Sequence, residues 1–292
     1  MNADQNPNHV LIRVHPCISG LKWFCLVFGM VLIHPSVLFA QIKKTEKPED
    51  YMILREGTLP ILLSAPHGGR MPIKDATVRK GVGVTQFVTG PDMSTDDLAL
   101  KIAELLEKRF GAKPYLVIAK FERKYADANR TAAHAYESEA AKPVYELYHS
   151  TLTKYRDTIK KDFTSGLVLD IHGQGGEVNT IFRGTNGGKS VKHLIDRHGD
   201  QALTGPKSLF GQLASHDILI FPTIGSKDKE DSRYNGGYIV QTYGSSDGGN
   251  VDAIQLEFGT NLRQKTKIEA TAKAAADSIA VFVEEFLDVK KK

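Results

Sequence analysis

The stretch Leu167-Val168-Leu169-Asp170-Ile171-His172-Gly173 constrains the fold more tightly than any other part of the chain. A near-continuous apolar run of this length marks a strand buried on both faces. That is the habit of a largely parallel sheet with helices packed on each side. In open α/β sheets, ligands bind beyond the carboxyl ends of such strands. This run ends in a histidine, so an imidazole stands where a ligand would sit. Alone, that histidine is better explained as a hydrogen-bonded structural group, and it acquires chemistry only if other segments bring partners.

Other segments repeat the pattern. Residues 59–65 read as a strand ending in the turn Pro66-His67-Gly68-Gly69-Arg70. Residues 75–91 are glycine-rich and irregular. A helix begins near Ser94 or Thr95, where Ser94 and Asp97 resemble a capping box with Asp in place of Glu. Leu98, Ile102, Leu105 and Leu106 form its apolar stripe, and Gly111 suits its end. Residues 114–119 predict a strand, 124–130 a loop carrying Asp127, Asn129 and Arg130, and 143–161 a helix. After the opening strand comes a glycine-rich connection, 173–188. Short helices are predicted at 190–197 and 206–215, and a strand at 218–221. A turn at 235–238 enters a further strand ending near Tyr243. A strand at 253–258 and a long helix over 265–289 close the chain. Strands alternating with helices predict a single α/β domain over residues 51–292, with a mixed, largely parallel sheet and helices on both faces. Gly187-Gly188-Lys189-Ser190 imitates the end of a phosphate loop, but the upstream glycine spacing and the leading strand are missing.

Composition excludes several classes. The chain has 292 residues, 25% charged and 41% apolar, with a net charge of +4. Acids and bases are interspersed, and no basic patch interleaved with aromatics suggests a nucleic-acid surface. In the first forty residues the basic side chains are Arg13 and Lys22, and residues 23–33 are uncharged and almost wholly apolar. A small residue, Ala40, precedes a charged linker over 41–50. This is the pattern of an export signal or N-terminal anchor, its apolar core short against the roughly 20 residues of a membrane span. The protein is therefore expected outside the cytoplasm, touching a membrane only through the leader if that stays attached. Both cysteines, Cys17 and Cys25, fall in the leader, so the domain has no disulfide, no thiol nucleophile and no cysteine-bound zinc.

Four polar side chains recur at strand ends or in the loops that follow: His67, Asp92, His172 and Glu257. Two histidines and a carboxylate with one position left open form the ligand set of a catalytic zinc site. Zinc brings the pKa of bound water to about 7, and a free carboxylate beside it can carry the proton. Glu257, at the end of an apolar strand, is the candidate for that role. Asn129-Arg130 places a planar cationic fork next to an amide, suited to clamping a substrate carboxylate. Structural roles stand beside each of these. His67 can cap a turn, Asp92 and Asp96 can serve a helix N-terminus, Asn129-Arg130 can anchor a loop, and Glu257 can pair with Arg263. Tyr238 reads as a rim aromatic beside the substrate.

Taken in order, Pro66-His67-Gly68-Gly69, Asp92-x-x-x-Asp96, Tyr125-x-Asp127-x-Asn129-Arg130, Leu169-Asp170-Ile171-His172, Gly236-Gly237-Tyr238-Ile239 and Gln255-Leu256-Glu257 resemble the N-formylglutamate amidohydrolase family, which is related to the zinc carboxypeptidases. The resemblance runs from about Pro60 to Arg263. It implies a zinc-carboxypeptidase-like (phosphorylase/hydrolase-like) fold. It also implies Zn2+ held by His67, an acid and His172, with Glu257 as general base and acid and Asn129-Arg130 on the substrate carboxylate. Asp92, in the loop, is the preferred acid over Asp96, in the first helical turn. Asp170, two residues before His172 on the same strand face, is placed to orient an imidazole. Two positions depart from the pattern: Arg70 stands where carboxypeptidases have the glutamate of His-x-x-Glu, and Gly173 where serine is expected. The implied activity is zinc-dependent hydrolysis of an amide in a small, carboxylate-bearing N-acyl amino acid or short peptide. An exported peptidoglycan amidase or peptidase, and a non-catalytic binding homologue, are the alternatives.

Overall fold

The computed structural model describes residues 46–290, so the leader expected over 1–40 lies outside the described residues. Within the expected linker, Pro48–Tyr51 forms a 3-10 turn leading into the first strand. The elements in chain order are β1 (Met52–Arg55), β2 (Ile61–Ala65), α1 (Thr95–Phe110), β3 (Tyr115–Ala119), α2 (Ala132–Ala135), α3 (Lys142–Asp162), β4 (Gly166–Gln174) and β5 (Thr180–Gly184). There follow α4 (Lys192–His198), α5 (Gln201–Thr204), α6 (Leu209–Ser215), β6 (Leu219–Phe221), α7 (Tyr238–Tyr243), β7 (Val251–Gly259) and α8 (Ile268–Phe286). The strands form one seven-stranded sheet in the order β1-β3-β2-β4-β7-β5-β6. From β3 to β7 the neighbours are parallel, whereas β1 and the β5–β7 pair are antiparallel. This is the mixed, largely parallel α/β sheet that the alternating pattern predicts.

Period-two alternation sends each strand's side chains to two cores. On one face Ile61, Leu63, Leu167, Leu169, Ile254 and Leu256 pack under α1, α6 and α8. On the other, Leu62, Val117, Val168 and Ala253 pack under α3 and α7. On this second face the side chains change character toward the carboxyl ends of the strands. Leu62, Val168 and Ala253 lie side by side. One step on, Ser64, Asp170 and Gln255 lie side by side, and after them His172 pairs with Glu257. The apolar floor thus becomes a polar one within a single pleat. Tyr148 of α3 sits at that boundary, fully buried, its hydroxyl on Val117 O at 3.1 Å and beside Ser64 Oγ at 2.9 Å.

Several details differ from expectation. His172 and Glu257 lie inside their strands, because β4 and β7 pair over their full nine residues and carry the ladder past both side chains. The strand expected after the 235–238 turn is α7 instead. Its residues, rich in aromatic and β-branched types, favour a strand by propensity, but Ile239, Val240 and Tyr243 are buried on the second core and a side chain from another loop caps the helix. β5 was hidden in a segment dominated by glycine, and β1 follows the charged stretch too closely to stand out. The capping box at α1 does not form. Ser94 is left-handed at φ 66° and makes no side-chain cap, while Thr95 Oγ1 donates to Asp92 O at 2.8 Å.

Removing the Tyr148 hydroxyl deletes one buried hydrogen bond without opening a cavity. Tyr148→Phe is therefore expected to lower stability by about 1–2 kcal/mol, read as a shift in the urea midpoint at unchanged slope.

Candidate active site and metal centre

His67 leaves β2 through a turn that needs close backbone approach. A Cβ on Gly68 would lie 2.5 Å from Asp96 N of α1, and one on Gly69 would lie 2.3 Å from the Lys120 carbonyl carbon. The paired glycines let the turn wedge between α1 and the segment following β3. Asp92 is set by its backbone: its N–H donates to His67 O at 2.9 Å and its carbonyl accepts from Thr95. With His172 on β4, these residues converge. Asp92 Oδ2 lies 3.3 Å from His67 Nδ1 and 3.3 Å from His172 Nδ1, and the two rings meet edge to face with centroids 4.7 Å apart. Among the described residues, His67, Asp92 and His172 form a group whose ligand atoms all fall within 4.8 Å of one another. Asp96 is outside it. Its Oδ1 is buried without a hydrogen-bond partner, and burial pushes its carboxyl above the ordinary value.

The opposite nitrogen of each imidazole is taken by a carboxylate. His67 Nε2 donates to Asp127 Oδ1 at 2.7 Å, and His172 Nε2 donates to Asp170 Oδ2 at 2.7 Å. Asp170 also accepts from Ser64 Oγ at 2.8 Å and is fully buried behind His172. Asp127 is the counterpart behind His67; the sequence placed it in the motif Tyr125-x-Asp127-x-Asn129-Arg130 without giving it a role. Arg123, unforeseen, donates to Asp127 Oδ2 at 2.8 Å and to Asp92 Oδ1 at 3.4 Å, tying the two acids together. Burial opposes ionisation of Asp127, but the charges of His67 and Arg123 outweigh it and hold the carboxyl well below its ordinary value. For Asp92 burial is likewise outweighed, here by His172 and His67. Carboxylates on both Nε2 atoms direct both Nδ1 atoms at Asp92 Oδ2. That donor set, two nitrogens and one oxygen with carboxylates behind the rings, fits zinc.

Glu257 faces this group, its Oε1 4.0 Å from His172 Nδ1 and accepting from Gln255 Nε2 at 2.9 Å. Burial pushes its carboxyl up to about 7, with Asp92 and Asp170 adding to the rise and His172 and Arg123 opposing it. Gln255 is held in turn by Gly237 N–H at 2.8 Å, so its amide presents N–H to Glu257. The proposed pairing of Glu257 with Arg263 is not made. Arg263 instead donates to three backbone carbonyls: Phe258 O at 2.9 Å, Gln174 O at 3.2 Å and Met93 O. It ties the loop of Asp92 to β4 and β7. This also accounts for Gly173, since a Cβ there would lie 2.4 Å from the Arg263 guanidinium carbon. Arg70 is exposed and takes no place among the ligand atoms.

Asn129 and Arg130 separate in role. The Asn129 amide is spent inside the fold: Oδ1 caps α7 by accepting from Ile239 N–H at 2.9 Å, and Nδ2 donates to Gln255 at 3.3 Å. Asn129 also lines the cavity over His172 and Glu257. Arg130 gives one N–H to Gln86 O at 2.9 Å, has its Nε 3.9 Å from Asp127 Oδ2, and lines the cavity. Tyr238, first residue of α7, lines the same cavity, a space of about 670 Å³ over His67, Asp92, His172 and Glu257. Its far wall includes Tyr234, in a loop fastened by Glu230. That carboxylate accepts from Arg183 Nε at 3.1 Å and from Thr185 N–H and Gly187 N–H at 3.0 Å each. The glycine turn that imitates a phosphate loop therefore holds a carboxylate of its own chain.

No family model matches the chain, and no curated protein matches it. Solved structures do. N-formylglutamate amidohydrolase from Ralstonia eutropha JMP134 superposes with a TM-score of 0.55 at 14% identity, over 81% of this chain and 98% of that one. A gene product of Agrobacterium tumefaciens superposes with a TM-score of 0.52 at 14% identity, over 82% and 96%. The likeness is one of fold, and it is the fold that the ordered motifs imply.

If Gly173 exists to admit Arg263, the two are energetically coupled. Gly173→Ala should cost about 1–3 kcal/mol in the native background and clearly less in Arg263→Ala, giving a double-mutant coupling of about 1 kcal/mol or more in urea unfolding. A second expectation concerns His149, which donates Nε2–H to Ala128 O at 2.9 Å and accepts from Tyr243 at Nδ1, bracing the Asp127–Arg130 loop. Burial pushes its pKa down from 6.5 to about 4. Between those values the unfolded chain takes a proton that the folded one refuses. Stability should therefore fall as pH drops from 6.5 to 4, by up to roughly 3 kcal/mol, and be unaffected by this group above 6.5. His149→Gln should flatten that part of the stability profile.

Proposed function

We propose that the protein is a zinc-dependent amidohydrolase acting on a carboxylate-bearing N-acyl amino acid, the class to which N-formylglutamate belongs. One observation carries this reading: two imidazole Nδ1 atoms and Asp92 Oδ2 converge opposite Glu257, with a buried carboxylate behind each ring. His67, Asp92 and His172 would hold the ion. When bound, zinc supplies a Lewis acid for the scissile carbonyl and lowers the pKa of water. Asp170 and Asp127 keep the imidazoles in the tautomer with Nδ1 free. Arg130 takes the substrate carboxylate and fixes the amide across the cavity. Glu257 accepts a proton from the attacking water as the new C–O bond forms, then delivers it to the nitrogen as the C–N bond breaks. A carboxyl near 7 is matched to both halves of that transfer at neutral pH.

The two departures that favoured a non-catalytic homologue lose their force. Gly173 is required by Arg263, and Arg70 lies away from the ligand atoms. The apolar leader keeps a second substrate reading open on the same chemistry, a peptide or cell-wall amide outside the cytoplasm. Among the described residues, no helix is long and apolar enough to cross a membrane. Incubation with cell-wall fragments and mass spectrometry of the products separates the two substrates.

Metal analysis of the purified protein is expected to find one zinc, lost in Asp92→Asn. On a panel of N-acyl amino acids, Glu257→Gln should retain the metal and lose about 10²–10⁴-fold in kcat. Unchanged hydrolysis by Glu257→Gln would refute the assigned mechanism.

A further inference from the structure

The row of side chains that contains His172 and Glu257 does not stop at β7. Glu257 pairs across the sheet with His172 on one side and with Phe182 of β5 on the other, and Phe182 pairs with Phe221 of β6. All four point to the catalytic face. One step along, Thr180 pairs with Leu219, whose side chain is 62% exposed although it sits within a strand. Phe182, Leu219 and Phe221 belong to neither packed core. With Ile224, and with Ile218 and Ile220 at the β6 edge, they line a largely apolar groove of about 670 Å³ whose charged residues are Glu177, Asp217, Asp231 and Arg233.

This groove adjoins the catalytic cavity. Arg233 lines both spaces, and Tyr234, which lines the catalytic cavity, packs on Phe182 with ring centroids 4.8 Å apart. The strand order gives the pair of spaces a direction. Arg130 enters from the loop after β3, on one side of the His172–Glu257 pair, and the groove lies over β5 and β6 on the other. A substrate held at Arg130 by its carboxylate and cleaved beside Glu257 has its acyl part on the groove side. Exposed apolar surface at the end of a polar cavity gains most from a ligand group that removes it from water.

We propose that this groove is an acyl subsite, and that the substrates are N-acyl amino acids whose acyl group is an apolar chain or aryl group larger than formyl or acetyl. The proposal rests on the amidohydrolase reading for its chemistry and on the groove for its selectivity. Its test uses N-octanoyl-glutamate and N-acetyl-glutamate as paired probes. The wild-type protein should hydrolyse the octanoyl compound with a kcat/KM about tenfold or more above the acetyl compound. Leu219→Asp, at an exposed position outside the catalytic cavity, should remove most of that preference and leave acetyl hydrolysis unchanged. In parallel, calorimetry on Glu257→Gln should find tighter binding of the octanoyl probe, weakened by adding Leu219→Asp. Equal rates and affinities for the two probes, or an equal loss on both in Leu219→Asp, overturn the subsite while leaving the hydrolase intact. Absence of hydrolysis together with octanoyl binding that Leu219→Asp weakens would sink the amidohydrolase reading and uphold the groove.

Discussion

Nine residues of β4 lie in parallel register with nine of β7, and the site is a product of that ladder. It brings Asp170 beside Gln255 and His172 beside Glu257 without a loop. The Glu257 carboxylate and the His172 imidazole are thereby fixed by backbone hydrogen bonds rather than by side-chain packing. A slip of one residue would turn Glu257 into the core beneath α1 and α8 and bring Leu256 to the cavity floor. The neighbouring strand β2 adds Ser64 in the same row, so the support behind His172 is set by the same pleat. What varies along the face is only which residue types the sequence writes onto alternate positions.

The second constraint is charge. Asp92, Asp127, Asp170 and Glu257 are buried within one small volume, where unpaired carboxylates are costly. Arg123 and the two imidazoles divide the compensation: Asp127 and Asp92 share Arg123, Asp170 takes His172, and Glu257 is left with an amide N–H and a raised pKa. The group with the poorest compensation is the one suited to moving a proton, and the better compensated ones orient rings. A divalent cation among the Nδ1 atoms and Asp92 would meet a surplus of acceptors.

The sequence displayed these features unevenly. Strands of continuous apolar residues and long amphipathic helices were legible, since burial writes itself into every position. His67, Asp92, His172, Asp170 and Glu257 were legible because each sits at or near the end of such a segment. The role of Asp127, though its position stood in a motif, and the whole of Arg123 were not, because their partners His67 and Asp92 come from the turn after β2 and the loop before α1. For Asn129 the sequence showed its neighbour Arg130 but not the amide's partners in the fold, a helix end and a glutamine more than a hundred residues away. The six residues of α7 misled because a cap from a distant loop overrode their strand propensity.

The place of β7 has a consequence for how the molecule comes into being. This strand lies between β4 and β5, yet among the seven described strands it is the last in chain order, and Arg263 follows shortly after it. While a nascent chain lacks it, the β5–β6 pair has no neighbour to dock on, and the loop of Asp92 is without the guanidinium that holds it. His67, Asp92 and His172 are all present by then, but the partner strand that sets them against an acid is not. Synthesis therefore passes the other six strands before the centre of the sheet can close. The cluster comes together in one late step rather than by stages, and a chain cut short before β7 carries His67, Asp92 and His172 but not the acid that faces them.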